Sequence, residues 1–191
     1  MLLYGAPKRP VEDFLPRLNS FIDGVDQDLA MAHLMDAVIQ FCDDSKLIRH
    51  TDCIVIEPCT NSYLLTIGDN ERLSEVLSFR ATATDCHISL NHVNYYVEGN
   101  TLYVEPHTVL SMPTEVEITY SVAPRRDSFM VYDEIYENWL EPIINLTLAT
   151  LFIMPSMEWV NPNLAAQYRA LYNQQLSKAL TRIVTKHRAL N

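Results

Sequence analysis

The chain has 191 residues, 48% of them hydrophobic, with four Gly against ten Pro and a formal net charge of −10. A chain of that length buries roughly 70% of its unfolded surface as one domain, or as one domain with an insertion, and its composition excludes the disordered and low-complexity classes. The acidic excess also argues against a protein that holds nucleic acid, because such affinity comes chiefly from Lys and Arg neutralising phosphates.

The charge is segregated along the sequence. Residues 1–158 carry all 24 acidic residues and nine basic ones, a net −15, whereas residues 159–191 carry five basic residues and no acidic one. The cations of this tail, Arg169, Lys178, Arg182, Lys186 and Arg188, suit an acidic partner; they equally suit a solvated helix end, where the dipole favours positive charge. At the other terminus, MLLYGAPKRPVEDF lacks the uninterrupted apolar region of a signal peptide. No apolar run approaches the roughly 18 residues of a membrane span, so the expectation is a soluble, intracellular protein without membrane contact.

In chain order, Pro7, Pro10 and Pro16 forbid a continuous helix over residues 1–22 and favour an extended or turn-rich arm, with room for a helical turn at Val11–Leu15. From Asp23 or Val25 to Asp44 the period is helical. Ala30, Met31, Leu34, Met35, Val38, Phe41 and their apolar neighbours cover well over half the circumference, leaving His33, Asp36, Gln40 and Asp43 as a polar stripe. So wide an apolar face is satisfied inside one bundle, or by its own domain on one side and a neighbouring subunit on the other.

The middle third changes period. Cys53–Ile56, Tyr63–Ile67 and Val76–Phe79 are short β-prone runs, and NYYVEGNTLYVE at 94–105 predicts a hairpin turning at Gly99-Asn100. Residues 115–122 alternate, with Val116, Ile118, Tyr120 and Val122 on the buried face. Residues 52–123 therefore read as a small antiparallel sheet inserted between helices. Helical patterning returns at 124–191. Asp133 is placed to cap a helix from about Glu134, Pro142 kinks or restarts it, and Pro155 stops it. Asn161 followed by Pro162 starts a second helix. Its stripe Ala165, Tyr168, Tyr172, Leu176, Ala179, Ile183 recurs at intervals of three and four. The fold class is thus α+β: a helical bundle of residues 23–51 and 124–191, with a small antiparallel β-domain inserted between the first long helix and two C-terminal helices.

Chemistry-bearing motifs are scarce. Four glycines leave little scope for a phosphate cradle, and no Walker, dinucleotide-binding, nucleophile-elbow or H-E-x-x-H pattern occurs. Cys86-His87 with His92, joined by Cys53 and Cys59, lacks structural zinc spacing, so free thiols and no metal are expected. No cofactor and no catalytic residue follow from the pattern. Trp139 and Trp159 read as core or interface anchors.

FLPRLNSFIDG at 14–24, AVIQFCDDS at 37–45, the inserted sheet with Pro106 and Pro113, and above all ENWLEPIINLTLATLFIMPSMEWVNPNLAAQYRALYNQQL at 137–176 together resemble the head-to-tail connector (adaptor or neck) proteins of tailed bacteriophages, of the short-tailed type. The blocks span nearly the whole chain in the family's order. One departure is Leu47-Ile48, where a tryptophan would follow the Phe41-Cys42 helix. The resemblance implies a virion protein without catalytic residues, made in the host cytoplasm and located in the neck. There it would form a ring with itself, commonly of twelve subunits, below the portal protein. The ring would receive a tail or nozzle protein and prolong the channel for passing double-stranded DNA, without sequence-specific binding. The residues expected at subunit or portal interfaces are Leu34, Val38, Phe41, Trp139, Trp159, Tyr168 and Tyr172, with Arg169, Lys178, Arg182, Lys186 and Arg188. Two other readings remain: a tail-completion or stopper protein of the same neck, and, in a different class, a small intracellular hydrolase using His87 or His92.

Overall fold

The computed structural model describes residues 6–57, 60–81, 94–104, 113–155 and 157–189, with side chains described as far as Arg182 in the last helix. The chain has an α+β fold that separates into two compact units. Residues 48–123 form a sheet unit; the segments on either side of it, 5–47 and 124–191, together form a helical unit.

In the helical unit the chain enters through strand β1 (Lys8–Pro10), a 3-10 turn at Val11–Phe14 and a short helix α1 (Leu15–Asn19). Residues 8–22, expected as an arm, are built into this unit. Val11, Phe14 and Leu18 are fully buried, the Phe14 ring meets Tyr136 edge-on at 5.1 Å, and Arg9 donates to the Asp133 carboxylate at 2.9 Å. Helix α2 (Gln27–Ser45) follows. Asp26 starts it by accepting from the backbone N–H groups of Asp28 and Leu29, both at 3.1 Å, which satisfies two of the donors that a helix start leaves open. Lys46 ends it in the left-handed region at φ 53°, its N–H returning to the Cys42 carbonyl.

The sheet unit contains β2 (Arg49–Ile56), β3 (Ser62–Leu64), β4 (Glu71–Ala81), β5 (Tyr95–Glu98), β6 (Thr101–Val104) and β7 (Thr114–Pro124). Where one small sheet was expected, there are two of three strands, ordered β2-β7-β4 and β3-β6-β5. The division begins after β2. The Tyr63 hydroxyl accepts from the Glu57 N–H at 2.9 Å and donates to the Thr60 carbonyl at 2.7 Å, folding the chain back so that β3 pairs with β6. The β5–β6 hairpin turns at Gly99, φ 59°, as the Gly-Asn pair predicts. Strand β7 keeps the expected alternation through Val116, Ile118 and Tyr120, but Ser121 on the opposite face is buried too. As the central strand β7 is flanked on both sides, and the Ser121 hydroxyl donates to the Glu75 carbonyl on β4.

After β8 (Met130–Tyr132), which pairs antiparallel with β1, helix α3 runs Asp133–Leu151 and helix α4 Pro162–Ala189. Asp133 does not cap α3. It is the first helical residue; Tyr132 holds the cap position without a side-chain bond, because the Asp133 carboxylate is engaged by Arg9. The break in α3 falls at Trp139 (φ −135°, ψ 23°), three residues before Pro142. Pro142 thereby occupies the first turn of the resumed helix, where its missing N–H costs little. Asn161 caps α4 as expected, accepting from the Leu164 N–H at 3.1 Å.

Helix α3 is the centre of the unit. Every residue from Pro142 to Ala149 is buried, and both α2 and α4 pack on it. No helix of the described residues is long and apolar enough to cross a membrane. Leu148→Ala, at a fully buried site, is expected to cost about 2–5 kcal/mol, and Asn161→Ala about 1 kcal/mol from the lost cap; urea denaturation of both variants measures the difference.

Candidate assembly surface

The residues expected at interfaces fall into two groups. Leu34, Val38 and Phe41 are completely buried, Tyr172 is 1% exposed and Trp139 8%. These five are core, not contact surface. The wide apolar circumference of α2 is taken up within the chain, where α3, α4 and the turn at Val11–Phe14 pack against it. Phe41 lies tilted against Trp139 at 5.7 Å. Trp139 is therefore a packing residue at the α3 break, with the Arg182 guanidinium 5.7 Å above its ring.

The second group reaches the surface. Trp159 and Tyr168 are half-buried, and Arg169, Lys178 and Arg182 are exposed on α4. Tyr168 lies in an aromatic column at the helix corner, stacked on Phe152 at 5.7 Å and meeting Phe21 edge-on at 6.3 Å. The side chains of Lys186 and Arg188 lie outside the described residues. On α4 the expected stripe is the inward one, with Ala165, Tyr172 and Ala179 buried, while Leu171 and Leu180 stand 44% and 42% exposed on the flanks.

The three described cations of α4 differ from most others in the helical unit. Arg9 pairs with Asp133, Arg17 with Glu141, Arg125 with Asp127 and Arg126 with Asp36. Arg169 and Arg182 meet only aromatic rings, Tyr172 and Trp139. Neither these two nor Lys178 makes an ion pair among the described residues.

Two polar nodes built on buried tyrosines escaped sequence reasoning. In the helical unit the Tyr172 hydroxyl donates to the Asp44 carboxylate at 2.6 Å, tying α4 to the end of α2. In the sheet unit the Tyr120 hydroxyl lies 3.0 Å from Asp52 Oδ2 and 2.8 Å from the Thr66 carbonyl, while Asp52 also accepts from the Thr66 N–H. The His50 ring stacks on Tyr120 at 5.9 Å and approaches Glu71 at 3.6 Å, both side chains buried. These partners are separated by 14 to 128 positions and carry no local pattern. Only the β2–β7 register, which sets His50 opposite Tyr120, brings the sheet node together.

No group of three or more His, Cys, Asp or Glu able to hold a metal ion occurs among the described residues. Cys53 is exposed on β2 and Cys42 buried in α2; Cys59, Cys86, His87 and His92, weighed above for metal binding or hydrolysis, lie outside the described residues. The sheet unit carries an open cleft of about 500 Å³, lined by Arg72–Val76 of β4 and by Tyr95, Val97, Gly99 and Asn100. Among the described residues no His or Cys lines it. No protein-family model matches the chain, and no curated protein matches it.

Burial, with the hydrogen bond and negative charge of Asp44, pushes the Tyr172 phenol well above its ordinary value; burial, with Asp52 and Glu71, does the same for Tyr120. A phenol held protonated in the fold and released in the unfolded chain leaves stability intact below its unfolded value near 10 and erodes it above. Two of the ten tyrosines are therefore expected to ionise only with unfolding when absorbance at 295 nm is followed to alkaline pH. Tyr172→Phe is expected to remove one of those late steps and, by taking from Asp44 its shorter hydrogen bond while the Gln40 amide stays at 3.4 Å, to cost about 1 kcal/mol at neutral pH.

Proposed function

We propose that the chain is a non-enzymatic structural subunit of a ring in the neck of a tailed bacteriophage, below the portal protein, joining the capsid to the tail and extending the DNA channel. The observation that carries this reading is the charge segregation on a self-contained helical unit. α4 presents Lys178 and Arg182, without ion partners among the described residues, on the same flank as exposed Leu171, on a protein that is otherwise strongly acidic. Cations beside an exposed leucine have the composition of a docking surface with an apolar centre and a charged rim. The resemblance of residues 14–24, 37–45 and 137–176 to connector proteins supplies the setting, in which docking and channel formation are the work.

The acidic body suits the same setting. Duplex DNA passing a surface with a net −15 over residues 1–158 is repelled within a Debye length of about 8 Å and does not adhere. In this reading the basic end of α4 reaches an acidic surface of the portal, and the opposite side of the ring receives the tail or nozzle protein.

The structure sets where the C-terminal helix can be cut. Tyr172 and Ala179 are core, so a truncation at Arg169 would unfold the unit, whereas removal of residues 183–191 takes away Lys186 and Arg188 and leaves the described packing in place. That deletion is expected to weaken binding to the portal at least about tenfold in low salt, measured by co-sedimentation of the two purified proteins; unchanged binding removes the portal contact. Imaging of particles carrying a tagged copy is expected to place the tag in the neck, and a tag elsewhere in the particle sinks the neck assignment.

A further inference from the structure

Charge in the helical unit is partitioned by segment. From Ser20 to Ser45 there are six Asp and no Lys or Arg; from Trp159 to the end there are five Lys or Arg and no acidic residue. Within the first of these segments Asp23, Asp26 and Asp28 are all exposed, and none makes an ion pair among the described residues. Asp26 accepts only backbone N–H groups. The Phe21 ring beside them is 41% exposed and touches Tyr168, near the start of α4. Lys178 and Arg182 lie ten and fourteen residues further along, a distance of about 15–21 Å at 1.5 Å per residue. Phe21 therefore sits with Tyr168 and its neighbour Arg169 toward the start of α4, whereas Lys178 and Arg182 lie toward its far end and make no ion pair with Asp23, Asp26 or Asp28 among the described residues.

We infer that the loop Phe21–Asp28 of one copy docks on the flank of α4 that carries Leu171, Lys178 and Arg182 in a second copy, a head-to-tail contact in which Phe21 meets Leu171 and the aspartates meet Lys178 and Arg182. The two surfaces match in composition as well as in charge: each has an apolar residue more than 40% exposed, Phe21 and Leu171, and three aspartates face two cations, while Arg17, which covers one side of the Phe21 ring at 4.7 Å, is paired with Glu141. A contact between unlike surfaces leaves one of each free on every copy added, so it propagates until a rotation closes it. This rests on the ring reading above and gives that reading its contact. A two-fold pair would satisfy the loop-to-flank contact reciprocally and stop at two copies, so association that ends at the dimer mass overturns the head-to-tail contact.

The test is sedimentation velocity of the full chain at about 50 mM and about 500 mM salt, which brackets the change in screening from about 14 Å to about 4 Å. The wild-type chain is expected to associate in low salt and dissociate in high salt. A variant with Asp23→Lys and Asp28→Lys keeps the Asp26 cap, and a second carries Lys178→Glu and Arg182→Glu. Each is expected to be monomeric alone, and a one-to-one mixture of the two to recover association, because the mixture restores opposite charges at every contact. Recovery also certifies that both variants fold. Lys178→Gln with Arg182→Gln, which adds no repulsion, is expected to give an intermediate loss.

A wild-type chain that stays monomeric in low salt overturns the contact, as does association that neither reversal weakens, or a mixture that recovers nothing. Retention on duplex DNA that depends on Lys178 and Arg182, with self-association unmoved by their reversal, also overturns it and assigns the flank to phosphate. A tag found in the neck together with charge-insensitive association would remove this contact and leave the neck assignment standing. Salt-sensitive, reversal-sensitive association with a tag found elsewhere would do the opposite.

Discussion

Burial of α3 over eight successive residues, Pro142–Ala149, constrains everything else in the helical unit. A helix hidden on all sides has no solvent face on which to place polar groups, so each one it carries needs an internal partner. Thr147 returns its hydroxyl to the Ile143 carbonyl at 2.9 Å, and Asn145 donates across to Gln175 on α4 at 2.8 Å. Neighbours must also surround it: α2, α4, α1, the turn at Val11–Phe14 and β8 all pack on α3. Residues 8–22 consequently fold inward and supply Val11, Phe14 and Leu18 to the core.

The break at Trp139 follows from the same constraint. Pro142 cannot donate a hydrogen bond to the preceding turn, and the backbone answers by leaving helical geometry at Trp139 and starting again. The indole lies against Phe41 under Arg182, yet its N–H and the hydroxyl of buried Ser45 have no partner among the described residues. Further along, the Tyr172–Asp44 bond fixes α4 against the end of α2. The sheet unit uses the same device at Tyr120 and Asp52. Each node sets a phenol, buried to the ring, on an aspartate distant in sequence, and each raises the phenol's pKa by burial first and then by the hydrogen bond and negative charge of that aspartate.

Because α2 and α3 spend their apolar residues on this packing, the surface left for assembly is composed differently from what the hydrophobic pattern suggests. Leu34, Val38 and Phe41 are unavailable to a neighbour. What remains is the aspartate-rich loop before α2 with exposed Phe21, and Lys178 and Arg182 with exposed Leu171 on one flank of α4, and this is the feature on which the proposed ring contact depends. Surface charge pairs on a single chain add little stability; unpaired charges of opposite sign on separate surfaces influence which surfaces of two copies meet.

Much of the fold was legible in the sequence. The α+β class, the Asn161 cap, the Gly99-Asn100 turn, the alternation in β7 and the inward stripe of α4 follow from local rules: a side-chain acceptor at a helix start, a residue free to adopt positive φ, and the periods of strand and helix. The sequence also determined the partition of charge, since that needs only the order of residues. Tertiary structure decided whether the apolar face of α2 was interface or core, because periodicity reports that a face is buried and not by what. It decided that Asp133 would serve Arg9 and leave the helix start without a side-chain cap, that the sheet would divide in two, and that His50, Glu71, Asp52 and Tyr120 would meet. Each of these depends on partners brought from afar, for which a one-dimensional pattern holds no distance.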